Sequence, residues 1–237
     1  MMAAIVAAQR GHDVTLFEAS DRVGGQLHLA ASVPGKQEFH GLIDWFGTML
    51  AEVGVRVQLG KKAEAADLAE QDDIVIATGV LPRDPEIPGQ ARALGYLDVL
   101  RGAPVGPRVA IVGAGGIGFD VAEFLVHQGP SPTQNPALWR REWGVGDPKA
   151  APGGLASEGP RPEAPAREAW LLQRRAEKPG RGLGKTTGWI HRAALQMKGV
   201  KMLGGVSYRE ITAEGFVIER DGKEEILNVD DVVLCAG

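Results

Sequence analysis

The stretch Val109-Ala110-Ile111-Val112-Gly113-Ala114-Gly115-Gly116-Ile117-Gly118 constrains this chain more than any other. An apolar run is followed by G-x-G-x-x-G, and then by a segment of helical character from Gly118 to Val126. Gly113 permits a tight turn. Gly115 lets the backbone approach a pyrophosphate, and Gly118 lets a helix lie against the strand. The N-terminus of that helix turns its unpaired N–H groups toward the phosphates. Strand, turn and helix in this order predict a dinucleotide site; the competing reading is a glycine turn with a purely structural task.

The next predicted strand, Ala169 to Gln173, stands where such a unit carries an acid for the adenosine ribose. This chain has Gln173-Arg174-Arg175 instead. Two guanidinium groups suit a 2′-phosphate, so the expectation is NADP, set against a merely solvated basic strand end.

A similar plan opens the chain. Met1 to Arg10 reads as a helix, and Asp13 to Glu18 as a short strand ending in an acid. This is the second half of a βαβ unit, so the chain is expected to be truncated there. Glu18 is placed to accept from ribose hydroxyls, or else is an exposed strand-end acid. Gly24-Gly25 lets backbone pass close to a nucleotide, and Gln26 can donate and accept hydrogen bonds. Helical spacing over 37–53 and strand character at Val55–Leu59 and Asp73–Thr78 complete a first domain.

Leu81 to Gly89 carries three prolines and reads as a linker. Eight of the fifteen prolines fall within 128–165, which predicts a long irregular insertion packed on the domain surface. Thr187–Met197 reads as a helix. Val200–Leu203, Val206–Ile211, Glu214–Arg220 and Asp231–Ala236 read as strands. The expected fold class is α/β, with two Rossmann-like dinucleotide-binding domains built as three-layer parallel sheets. Their expected bounds are 1–79 for a partial first domain, 80–107 for linker and crossover, and 108–237 for the second.

Composition excludes several alternatives. A net charge of -4 argues against a broad nucleic-acid surface. No apolar run is long enough to span a bilayer, and no signal peptide is visible, so a cytoplasmic location is expected. A single cysteine, Cys235, permits no internal disulfide and no thiolate cluster held by this chain alone; on a buried strand it reads as inert packing. The five histidines show no ligand spacing, so no metal is expected. Gly182-Leu183-Gly184-Lys185-Thr186-Thr187 lacks the spacing of a Walker loop. It is read as shaping a nucleotide pocket, with Trp189 either a flat wall or a core tryptophan.

The sequence resembles the C-terminal part of bacterial NADPH-dependent 2,4-dienoyl-CoA reductases. The residues that carry this are Gly24-Gly25-Gln26-Leu27, Pro34-Gly35-Lys36 with Phe39-His40, Tyr96-Leu97-Asp98-Val99-Leu100 and Gly113 to Asp120. Gln134-Asn135 and Glu142-Trp143-Gly144 add to them, as does the run from Lys178-Pro179-Gly180 through Gly182 to Arg192. Gly199 to Met202 and Gly205 to Tyr208 complete the set. The resemblance implies a flavoprotein in which electrons pass from NADPH to FAD, then to an iron–sulfur (4Fe-4S) cluster and FMN, and finally to a dienoyl thioester. The cluster, the FMN and the substrate barrel would lie outside this chain. It further implies that Glu18, Gly25, Gln26 and Ala63 contact FAD, with Ala63 meeting the adenine through its backbone. Gly113, Gly115 and Gly118 would seat NADPH, Arg174 and Arg175 would hold its 2′-phosphate, and Trp189 would lie near the flavin or nicotinamide. Hydride transfer between two cofactors needs no protein acid or base, so no catalytic residue is expected. The alternatives are an NADP-binding remnant without turnover and an electron-entry module feeding an amine dehydrogenase.

Overall fold

A computed structural model describes residues 1–235. The chain divides into two compact units: Met1–Ser32 with Lys36–Leu81, and Val33–Gly35 with the chain from Pro82 onward.

The first unit contains α1 (Met2–Gln9), β1 (Thr15–Phe17), α2 (Leu27–Ala31), α3 (Phe39–Glu52), β2 (Arg56–Gln58) and α4 (Ala65–Leu68). Strands β1 and β2 pair in parallel, with Leu16 opposite Val57. The apolar spacing of α3 turns Phe46 and Leu50 inward, where they meet Ile5 of α1 and Val55. The expected strand at 73–78 does not form: the segment has no ladder, and Val75 and Ile76 are 75% and 81% exposed. An extended run becomes a strand only when its N–H and C=O groups find partners. None of the described strands pairs with it.

The second unit opens with β3 (Leu94–Gly95) and α5 (Tyr96–Leu100). The region expected as linker and crossover therefore contributes structure beyond Gly89, and Tyr96 and Val99 are buried. Then come β4 (Arg108–Val112), α6 (Gly116–Val126), α7 (Pro136–Trp143), β5 (Glu168–Leu172), α8 (Gly188–Met197) and β6 (Lys201–Leu203). The unit finishes with β7 (Ser207–Ile211), β8 (Phe216–Arg220), β9 (Lys223–Leu227) and β10 (Asp231–Leu234). The expected last strand ran to Ala236, which lies outside the described residues.

Five strands form a parallel sheet in the order β3-β10-β4-β5-β6. Both faces are covered, which is why β4 and β5 read as continuous apolar runs. On one face Ile111, Leu171 and Val233 pack with Val99 of α5, Phe119 and Leu125 of α6, and Leu195 of α8. On the other, Val112, Leu172 and Val232 meet Phe216 and Ile218 of the antiparallel sheet β7-β8-β9. The three layers are helices, parallel sheet and β-meander.

The 128–165 segment is less irregular than expected. Asn135 accepts hydrogen bonds from the N–H groups of Ala137 and Leu138, Pro136 takes the first turn of α7, and Gly144 ends the helix at φ 67°. These are ordinary start and stop signals. The carboxylate of Glu142 on α7 lies 3.2 Å from Lys198 Nζ at the end of α8, with both side chains about nine-tenths buried.

Candidate functional site

The turn after β4 carries the first predicted site residues. Gly113 has φ 111°, open to glycine alone among ordinary residues. A Cβ on Gly118 would sit 1.7 Å from the carbonyl oxygen of Gly113. Helix α6 can rest on β4 only because that atom is missing. Gly115 is different: a Cβ there would meet nothing within 4 Å. Its lack of a side chain does nothing for the packing of the protein and leaves the mouth of the turn open.

That opening faces a cleft of about 300 Å³, lined by Gly113, Ala114 and Gly115 together with Gln173, Arg174 and Arg175. Strand pairing brings them together, since Val112 lies opposite Leu172 in the parallel ladder. The carboxyl ends of β4 and β5 therefore open onto the same crevice, where sheets of this kind bind ligands. Arg174 and Arg175 are exposed, and neither guanidinium has an ion-pair partner among the described residues. Lys178 and Arg181 add two further cations. The cleft's carboxylate, on Glu177, is 3.2 Å from Arg181. An open glycine turn beside an excess of cations fits a phosphate-bearing dinucleotide.

Lys178, Arg181 and Tyr208 also line the cleft, which the sequence pattern alone does not indicate. Tyr208 donates to the carbonyl of Leu172 at 3.2 Å and stacks on Phe216 at 5.8 Å between ring centroids. Burial pushes its phenol up to about 12, partly opposed by Arg174. Nothing in the sequence marks Tyr208 as near the turn, because β7 reaches it only by folding across the sheet. Lys178 and Arg181 sit within the Lys178–Arg192 run, in which Gly180 and Gly188 serve packing while Gly182 is open and lines the cleft. A Cβ on Gly180 would lie 2.6 Å from the ring of Phe119, and one on Gly188 would lie 2.8 Å from Leu183.

Trp189 is 58% exposed, so it is no core residue, and it is not among the residues lining this cleft. The reason is its place in the first turn of α8. That helix turns Leu195 into the core and holds His191 Nδ1 2.7 Å from Glu123 of α6, which leaves Trp189 on the outer side. Cys235 is buried, and burial raises its thiol pKa, as expected for an inert side chain. Among the described residues no cluster of His, Cys, Asp or Glu could hold a metal ion, and no helix is long and apolar enough to cross a membrane.

In the first unit, Glu18 follows β1 directly. Its carboxylate accepts from the backbone N–H and the hydroxyl of Ser20, at 2.9 and 2.8 Å. The segment leaving β2 passes beside it, since Lys61 N–H donates to the Glu18 carbonyl at 3.0 Å. Ala63 lies two residues further on, just before the capping residue of α4. Gly25 has φ 49° and open space about its Cα, and Gln26 starts α2, exposed.

Comparison with known proteins fits this architecture. The family model "Pyridine nucleotide-disulphide oxidoreductase" matches residues 1–237. The chain belongs to this family of flavin oxidoreductases, whose FAD- and NAD(P)-binding domains are Rossmann-like α/β units. A metal reductase of Desulforamulus reducens is 32% identical over 98% of this chain and 35% of the relative. A cinnamate reductase of Clostridium sporogenes is 28% identical over 100% of this chain and 31% of the relative. Among solved structures, a 2-naphthoyl-CoA reductase superposes with a TM-score of 0.75 at 25% identity, covering 99% of this chain and 31% of that one. The chain thus spans about a third of the length of these relatives. Although the family name refers to disulphide chemistry, these 237 residues contain one cysteine and so hold no cysteine pair.

Proposed function

We propose that this chain is the electron-entry part of a flavin-dependent enoyl-CoA-type reductase, resembling the 2,4-dienoyl-CoA reductases. In this reading residues 1–79 serve FAD, through Glu18, Gly25, Gln26 and Ala63, and residues 108–237 bind NADPH. The observation that carries it is the single cleft shared by the Gly113–Gly115 turn and the Arg174–Arg175 pair. When bound, the nicotinamide supplies a hydride and the flavin takes it up. The protein's part is to seat and orient. The turn brings backbone N–H groups to the pyrophosphate, and Arg174 and Arg175 grip the 2′-phosphate. No side chain has to gain or lose a proton.

The iron–sulfur cluster, the FMN and the thioester substrate belong to the longer protein this reading implies. Relatives named for reduction of cinnamate and of 2-naphthoyl-CoA support an activated alkene or arene as final acceptor. A second reading has one observation in its favour. An N,N-dimethylglycine/sarcosine dehydrogenase of Chromohalobacter salexigens is 44% identical over 37% of this chain. An amine-oxidising parent would pass electrons outward and need no NADPH grip, which the arginine pair disfavours.

The test is calorimetric titration of the chain with NADPH and NADH. Each charge-assisted contact contributes about 1.5–3 kcal/mol, so replacing both Arg174 and Arg175 by Ala should weaken NADPH binding by roughly two orders of magnitude or more. NADH binding should barely change. Equal wild-type affinities, or equal losses for both nucleotides, would remove the NADPH assignment.

A further inference from the structure

Gln173 occupies the position at which NAD-binding units carry a ribose-reading acid. Its amide nitrogen donates to the carbonyl oxygens of Arg175 at 3.0 Å and Glu177 at 2.6 Å. Carbonyl oxygens only accept, so the amide must present its NH₂ to them, and that fixes which way it points. Both of its protons are thereby committed to the turn.

The same turn is clamped from the far side. Gly205 N–H donates to the Arg175 carbonyl at 2.9 Å, and the N–H of Val206 donates to the Gln173 carbonyl at 3.1 Å. Gly204 faces the same carbonyls so closely that a Cβ would come within 2.6 Å of Glu177 O and 3.0 Å of Arg175 O. The Arg175 carbonyl thus accepts from the Gln173 side chain and from the backbone of the β6–β7 connection. The side chains of Arg174 and Arg175 have no ion-pair partners among the described residues, so the backbone of the turn decides where they stand.

We propose that Gln173 is a positioning residue for cofactor choice: its amide ties the 173–177 turn so that Arg174 and Arg175 stand at the 2′-phosphate. This rests on the NADPH reading above. A carboxylate here would face two carbonyl oxygens with no proton to offer. Exchanging Gln173 for an acid therefore does not convert the cleft to NADH; it unties the turn.

The experiment uses the 237-residue chain with Q173M, Q173E and the R174A/R175A pair, alone and combined with Q173M. Nucleotide affinity is read by calorimetry, and the clamp by hydrogen exchange at the Gly205 amide. The expected result is a loss of NADPH affinity of about tenfold in Q173M and more in Q173E, with NADH affinity within twofold of wild type. Gly205 exchange should accelerate in Q173M without nucleotide present. In the R174A/R175A background, Q173M should cost no further NADPH affinity, because it acts through those arginines. NADPH affinity unchanged in Q173M, parallel losses for both nucleotides, additive losses, or unchanged Gly205 exchange would each overturn the proposal. If wild type does not prefer NADPH, the cofactor reading itself fails and this inference falls with it. If wild type prefers NADPH and R174A/R175A abolishes the preference while Q173M leaves it intact, only the role of Gln173 fails.

Discussion

Two alanine substitutions three positions apart should separate ligand from fold in the glycine turn. Gly115→Ala adds a methyl group where no protein atom lies within 4 Å. Its φ of -86° and ψ of -169° suit alanine as well as glycine. Gly115 caps α6, and alanine caps less well than glycine, at a cost of up to about 1 kcal/mol. Alanine also restricts the unfolded chain, which returns about 0.4–1 kcal/mol. The two nearly cancel, so the melting temperature should stay within about 4 °C of wild type. Gly118→Ala places its methyl 1.7 Å from a backbone oxygen. No side-chain rotation relieves that, and α6 must move off β4. The cost should reach or exceed the upper range for overpacking, about 3 kcal/mol, or about 6–12 °C in a domain of this size. Thermal unfolding followed by circular dichroism reads both. Calorimetry then asks whether folded Gly115→Ala still binds NADPH; an affinity loss of at least tenfold is expected, because the methyl occupies the space left for a pyrophosphate. A folded Gly115→Ala protein with wild-type NADPH affinity would refute the argument that this opening is a phosphate seat.

Breaking the buried Lys198–Glu142 pair by Lys198→Met should lower stability by about 3 kcal/mol, since it leaves a carboxylate without its partner. Adding Glu142→Leu should recover most of that in chemical denaturation. Tyr208 has a folded-state pKa raised from 10.0 to about 12, so the folded protein keeps that proton longer than the unfolded chain does. Its contribution is fully present below pH 10 and should be lost between pH 10 and 12, on the order of 2 kcal/mol in all. Tyr208→Phe should flatten that limb of the stability profile measured by denaturant titration. Limited proteolysis should cut within 146–160 before it cuts 113–126, where α6 packs into the core; mass spectrometry of the first fragments checks the order.

The parts of this fold that were legible in the sequence are those in which one local pattern has one structural meaning. Val109 to Gly118 spells strand, turn and helix, and its neighbour at Ala169 to Gln173 follows from the same logic. The cleft between them was legible because parallel pairing leaves their carboxyl ends side by side. Strand β9 was missed although Asp221-Gly222, both at positive φ, marks the hairpin turn before it. Lys223, Glu224 and Glu225 hide the strand, because on an exposed edge no apolar alternation is required. The apolar run at 73–78 misled in the opposite direction: its composition suits a strand, but pairing is a property of the neighbour as well as of the run. Trp189 shows a third limit. Its helix was plain from spacing, while the side of that helix facing the core depended on Leu195 and His191 meeting α6. Tyr208 and Gln173 acquire their roles from contacts across the sheet and within a turn, and no spacing rule encodes these.

The place of β10 in its sheet has a consequence for how the chain is made. Val233 pairs with Leu94 on one side and Ile111 on the other, so the strand synthesised last among the described elements sits second in the row. Strand β3 has no other partner in that sheet. While the polypeptide emerges from the ribosome, β3 and the adjacent edge of β4 must wait, unpaired, for residues more than a hundred positions downstream. Such distant closure makes folding slow and leaves sticky backbone open in the interval. Removing the chain from residue 230 onward would accordingly open a gap one strand in from the rim and leave β3 with no partner in that sheet.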